Sequence, residues 1–119
     1  MEFEPAFRDN RRASKRVSFR DPVQFEEKDL HFEGGSVGLD ISETGIRMRF
    51  NDFVPIGTKL NLLIHLEGKT VECVGRIMWV KKYPYSDNYQ AGLSFESPEN
   101  LVDSRVKIHQ YIESFSSLT

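Results

Sequence analysis

The chain has 119 residues and a net charge of −2, a size that suits one domain with a modest hydrophobic core. Its 39% hydrophobic and 29% charged residues are those of an ordinary globular protein. No apolar run approaches the roughly 18 residues of a membrane span. The opening Met-Glu-Phe-Glu-Pro lacks the basic-then-apolar order of a secretory signal, and the single cysteine, Cys73, excludes an internal disulfide and cysteine-rich zinc frameworks, so a cytoplasmic location is expected.

Residues 1–16 show no apolar periodicity and are expected to form an extended or mobile arm. The first ten residues stand ahead of the domain proper, 11–119. Within and after the arm, Arg8, Arg11, Arg12, Lys15, Arg16 and Arg20, opposed by Asp9 alone, carry +5 and leave −7 on the rest of the chain. This segregation argues against a broad nucleic-acid surface and for a small, compact anion gathered at one place. Strand-like alternation begins at Val17-Ser-Phe19 and resumes in Val23-Gln-Phe25. Pro22 between them cannot donate to a ladder and marks a break or an edge. Gly34-Gly35 reads as a turn. Val37, Leu39 and Ile41 alternate into the segment Asp40–Gly45, and Ile46, Met48 and Phe50 alternate out of it, with Arg47 and Arg49 on the opposite face. A hairpin centred on Ser42–Gly45 follows.

A loop over 51–57 precedes clean alternation of Leu60, Leu62, Ile64 and Leu66, and Glu67-Gly68-Lys69 reads as a hairpin turn. The run from Val71 to Val80 is apolar on both faces, with Val71, Cys73, Ile77 and Trp79 on one and Val74, Met78 and Val80 on the other. A central strand covered on both sides is expected there. After a turn-rich loop over 83–88, Tyr89, Ala91, Leu93 and Phe95 form the last alternating strand. The period then changes: Ser97 suits an N-cap, Pro98 the first helical position and Glu99 the positive end of the helix dipole. Leu101, Arg105, Ile108, Ile112 and Phe115 fall near one helical face, flanked by Val102 and Tyr111. The fold expected is mostly β: a small, six-stranded antiparallel barrel with a C-terminal α-helix packed on it.

Two motifs carry the functional signal: Arg12-Ala-Ser-Lys-Arg16 and Asp40-Ile-Ser-Glu-Thr-Gly45. Alone, the first reads as a solvated basic terminus and the second as an ordinary hairpin. Together, in this order and spacing, they resemble the two ligand-binding motifs of the PilZ domain. The resemblance extends from about Arg11 to the terminal helix. Val37-Gly-Leu-Asp-Ile-Ser-Glu-Thr-Gly-Ile-Arg-Met48 is similar to the family's strand–motif–strand centre, Gly75-Arg-Ile-Met-Trp-Val80 to its long strand ending in an aromatic, and Ala91-Gly-Leu-Ser-Phe95 to its closing strand.

What the resemblance implies is a bacterial signalling receptor for cyclic di-GMP, with Arg12, Arg16, Asp40, Ser42 and Gly45 as ligand contacts. The residue types suit that ligand. The arginine fork donates in parallel to guanine O6 and N7 or to phosphate oxygens, and its plane stacks on purines. Asp40 can accept from guanine N1–H and the exocyclic amine, and Ser42 brings a hydroxyl for either role. Gly45 is expected at positive φ, allowing the turn and a close ligand approach. An arginine at the place of Arg11 goes, in the family, with two intercalated ligand molecules per chain. Trp79 has two readings, core residue or stacking surface at a pocket rim. Arg47 and Arg49 likewise read as solvated cations or phosphate contacts.

Catalysis finds little support. His31, His65 and His109 are scattered without metal-ligand spacing, Ser42 lacks a recognisable histidine partner, and Cys73 suits a buried strand position. No cofactor is expected beyond the nucleotide ligand, no membrane or nucleic-acid partner, and no output domain; the effect of binding is expected to pass through a downstream protein partner. The main rival is an interaction adaptor of the same fold that does not use the nucleotide.

Overall fold

A computed structural model of the chain describes residues 16–27, 32–96 and 102–116. Among these residues lie seven strands and one helix: β1 (Val17–Ser18), β2 (Pro22–Glu27), β3 (Phe32–Ile41), β4 (Gly45–Phe50), β5 (Lys59–Leu66), β6 (Lys69–Lys82), β7 (Tyr89–Glu96) and α1 (Val102–Ser116). Every pairing is antiparallel. The neighbours run β3–β2–β5–β6–β7–β4, and a further β4–β3 pairing closes the ring, with β1 added outside β3. Closure leaves the six barrel strands without a free edge. This is the six-stranded antiparallel barrel with a C-terminal helix that the alternation predicts, plus one short outer strand.

The barrel interior is filled by the alternating apolar positions. Val23 and Phe25 of β2, Ile46, Met48 and Phe50 of β4, Leu60, Leu62, Ile64 and Leu66 of β5, Val71, Cys73 and Ile77 of β6, and Ala91 and Leu93 of β7 are all buried. The Phe25 and Phe50 rings meet edge to face with centroids 4.9 Å apart, a favoured aromatic geometry. Ile108, Tyr111 and Ile112 of α1 join the same core, and Tyr111 meets Phe19 edge on at 6.2 Å. The helix is further tied to β6 where Ser104 Oγ donates to the Glu72 carbonyl and Lys107 Nζ to that of Thr70. No helix among the described residues is long and apolar enough to cross a membrane.

Local sequence explains most of the connections. Pro22 is the first residue of β2, a place where its missing N–H costs little. Glu67 and Gly68, both at positive φ (45° and 84°), join β5 to β6, as the tight, primed hairpin turn requires. The 51–57 and 83–88 segments are loops, as expected.

Three expectations are corrected. Gly34 and Gly35 do not turn the chain; both lie inside β3. Phe25 pairs with Gly34 across the β2–β3 ladder, and a Cβ at Gly34 would come within 3.0 Å of the Phe25 ring. The glycine makes room for the aromatic. Nor is β6 covered on both faces. A register shift between Ile77 and Trp79 leaves Met78 53% and Trp79 38% exposed, because a bulge turns consecutive side chains toward one side. On α1, Arg105 is exposed and Ser104 takes the inward position. The helix-capping residues Ser97, Pro98 and Glu99, together with Leu101 and the 1–10 arm, lie outside the described residues.

Packing around Gly38 yields a test. A methyl group there would fall 1.6 Å from Cε2 of the buried Phe19 ring, so Gly38→Ala is expected to destabilise the fold by about 1–3 kcal/mol. A lower urea midpoint with an unchanged slope would report it. Burial also pushes the Cys73 thiol up to about 12. In the folded protein at about pH 8 it should resist iodoacetamide and become reactive only on unfolding.

Candidate functional site

The β3–β4 turn is built around one buried hydroxyl. Ser42 Oγ accepts from the backbone N–H groups of Thr44 and Gly45, both at 3.2 Å, while Ser42 N–H donates to the Gly45 carbonyl at 2.9 Å. Ser42 has no solvent exposure. Serine is the residue type that can bridge a backbone turn in this way. Its oxygen is thus engaged within the fold, where sequence reasoning expected a hydroxyl offered to a ligand.

Gly45 also has a different reason from the one expected. It opens β4, and the described glycines at positive φ are Gly57 and Gly68, not Gly45. What demands glycine is close approach: a Cβ at position 45 would stand 2.3 Å from the Leu93 carbonyl oxygen. The turn is held to β7 from the other side by Phe95 N–H donating to the Thr44 carbonyl at 2.9 Å.

With the turn so fixed, Asp40 and Arg47 face each other across β3 and β4. Arg47 Nε donates to Asp40 Oδ2 at 2.7 Å, and its Nη2 contacts the same oxygen. Arg16, just ahead of β1, places Nη1 2.6 Å from Oδ1. The carboxylate is 13% exposed, the arginines 44% and 38%. Exposed ion pairs contribute less than about 1 kcal/mol each. The nearly buried anion between them makes loss of either cation more costly.

Two guanidinium groups on one carboxylate leave a surplus positive charge at the mouth of a cavity of about 330 Å³. Arg16, Gly45, Arg47 and Trp79 line it, joined by Thr44 and Met78 and by Gly92 to Ser94 of β7. Trp79 lies across Gly92, where a Cβ would come within 2.1 Å of the indole nitrogen. A partly exposed aromatic face thus stands in the same cavity as two arginines, a combination suited to a planar, anionic ligand. A larger depression of about 720 Å³ over β2, β3, β5 and β6 bears Glu26, Glu33 and Glu72 and no cation; it would repel an anion.

Of the residues expected to act together, the structure gathers Arg16, Asp40, Gly45, Arg47 and Trp79, with Ser42 beneath the turn. Arg11 and Arg12 lie outside the described residues. Thr44, Met78 and Ser94 were missed. Ser94 could have been found as the outward neighbour of Leu93 in the last strand, and Met78 as that of Ile77 in β6. Arg49 sits apart, its guanidinium 5.5 Å from the Tyr83 ring centre. Among the described residues no cluster of His, Cys, Asp and Glu could hold a metal ion.

The turn also meets the helix. His109 Nδ1 lies 2.6 Å from Glu43 Oε2, and this hydrogen bond first, then the Glu43 charge and more weakly that of Glu113, raises the histidine above its ordinary 6.5.

A family model described as the PilZ domain matches residues 10–114. Among solved structures, the chain is similar to the Bacillus subtilis inhibitor of motility MotI/DgrA, with a TM-score of 0.73 and 21% identity over 92% of this chain and 52% of that one. It is also similar to K. pneumonia MrkH in its complex with c-di-GMP, with a TM-score of 0.72 and 16% identity over 86% and 51% of the two chains. Escherichia coli YcgR in complex with c-di-GMP gives a TM-score of 0.71 and 12% identity over 90% and 46%. At such identities the likeness is one of fold, and the chain spans about half the length of these proteins. No curated protein sequence matches.

Two outcomes follow from the turn. Ser42→Ala strands two backbone N–H groups and is expected to lower stability by about 1–3 kcal/mol, measurable by thermal unfolding. The His109 proton should titrate above 6.5 by NMR and return toward that value in Glu43→Gln. Because the folded-state value is raised, the contact's stabilisation is fully present below the unfolded pKa and is lost as pH rises through the folded one.

Proposed function

Because the chain belongs to the PilZ domain family, we propose that it is a receptor for cyclic di-GMP in bacterial second-messenger signalling, not an enzyme. The observation that carries this reading is the Asp40 carboxylate held between Arg16 and Arg47 at a cavity walled by Trp79. Cyclic di-GMP offers what such a site takes: two guanine edges that donate to a carboxylate, flat faces that stack, and two phosphodiester anions. Structural relatives of the same fold, MrkH and YcgR, have been solved with this nucleotide.

In this reading Arg16 and Arg12 clamp the ligand, Asp40 reads guanine N1–H and the exocyclic amine, and Ser42 and Gly45 hold the turn against which the ligand rests. Trp79 supplies a stacking face. Arg11 adds a third planar cation and brings in a second nucleotide, so that two mutually intercalated molecules bind per chain. Binding orders the Arg-rich segment, and the arginine–nucleotide hydrogen bonds offset the entropy lost in that ordering. The changed surface engages a downstream protein partner in the cytoplasm. Against an adaptor that ignores the nucleotide stands the surplus positive charge that the two arginines leave at the cavity mouth.

Titration calorimetry with cyclic di-GMP, beside GTP and a short single-stranded RNA, tests the reading directly. The cyclic dinucleotide alone is expected to bind tightly, and a silent titration would sink the receptor assignment. Arg12→Ala and Arg16→Ala should each weaken binding by about 10- to 100-fold, the equivalent of one charge-assisted hydrogen bond or more. Arg11→Leu should lower the stoichiometry from two nucleotides toward one, with less loss of affinity than Arg12→Ala. A parent protein that saturates at one nucleotide refutes the paired-ligand arrangement but not the receptor.

A further inference from the structure

Arg47 belongs to neither motif, yet it makes the more complete of the two contacts with Asp40. Its Nε and Nη2 both address Oδ2, whereas Arg16 reaches Oδ1 through Nη1 alone. Arg47 is also carried on β4, in register opposite Asp40, while Arg16 precedes β1 and lies outside any strand.

Resting on the receptor reading above, we propose that Arg47 is a positioning residue that sets base specificity by fixing the plane of the Asp40 carboxylate. The terminal torsion of an aspartate is broad and roughly two-fold, so an unpinned carboxylate presents its oxygens over a range of directions. Each oxygen accepts along about two lone-pair directions. Two donors of one rigid fork reach Oδ2 from the same side and stop the group from turning, which leaves the far side of Oδ2 open beside Oδ1. Oδ1 then points in one direction, held in the free protein by Arg16.

A guanine edge can displace that single arginine contact and leave the Arg47 contacts intact. The edge carries two adjacent donors, N1–H and the exocyclic amine. Adenine presents an acceptor at N1, which a fixed carboxylate repels, and hypoxanthine lacks the amine. Discrimination therefore depends on the carboxylate staying still. A rival role, in which Arg47 contacts a ligand phosphate, needs only positive charge and would not distinguish the bases.

Calorimetry on the full chain separates these roles, using cyclic di-GMP, its inosine analogue and cyclic di-AMP with the parent, Arg47→Gln, Arg47→Lys, Asp40→Asn and the Asp40→Asn/Arg47→Gln double variant. The parent should prefer guanine. Arg47→Gln should shrink the guanine-to-inosine preference by about tenfold. Arg47→Lys should shrink it as well, since an ammonium keeps the charge but not the fork. On the Asp40→Asn background, Arg47→Gln should change the preference no further, because the two residues act as a unit.

An unchanged preference in Arg47→Gln overturns the proposal. So does an equal loss of affinity for all three nucleotides that Arg47→Lys restores, which would make Arg47 a phosphate contact. A parent that binds no cyclic dinucleotide sinks the receptor reading and this inference with it. A parent that binds and discriminates, with variants that discriminate equally well, sinks the inference alone. Should Arg47→Gln fail to fold by thermal melting, Arg47→Lys carries the same comparison.

Discussion

The geometry of this molecule turns on the hydrogen bonds received by one buried oxygen, Ser42 Oγ. By accepting from Thr44 and Gly45, it closes a turn too tight for the backbone to satisfy alone. That closure brings Gly45 against the Leu93 carbonyl and lets β4 pair with β3 on one side and β7 on the other. The barrel ring is completed at this point. The same closure sets Asp40 opposite Arg47. A site residue and a barrel seam thus share one cause, and damage to the turn would be felt in both.

Electrostatically the barrel has two unlike sides. Arg16 and Arg47 converge on one carboxylate and leave a positive mouth beside Trp79, while Glu26, Glu33 and Glu72 border the depression over β2, β3, β5 and β6. Such a distribution matters more for anion capture than the overall charge of −2, because exposed charges act mainly within a Debye length of roughly 8–10 Å. A phosphate-bearing ligand is drawn to one side and turned away from the other.

Strands that are solvated on one face are legible in the amino-acid sequence itself. In β4, β5 and β7 apolar and polar residues alternate because the barrel interior excludes water on one side only. The misreadings have a common origin in contacts distant along the chain. Gly34 punctuates a sequence in the same way whether the chain turns or Phe25 lies over it. The bulge in β6 leaves no trace in Ile77-Met-Trp-Val80, which is apolar throughout, so the turning of Trp79 to the side of Met78 was hidden. At the site, residue types suggested a cation and a carboxylate, and alternation placed Arg47 away from the core. Neither could show that Arg47 points at Asp40, because that depends on strand register. The engaged state of Ser42 was illegible for the same reason: serine in a turn motif looks identical whether its oxygen faces backbone or solvent.

Trp79, laid over Gly92 beside Arg16 and Arg47 and part exposed, is the one tryptophan of the chain. The dominant fluorophore of the protein therefore sits in the cavity wall and nowhere else. Its emission wavelength and quenching report the wetness and occupancy of that cavity without interference from a second indole, and no attached dye is required. The molecule carries its own optical probe at the place where its chemistry is concentrated.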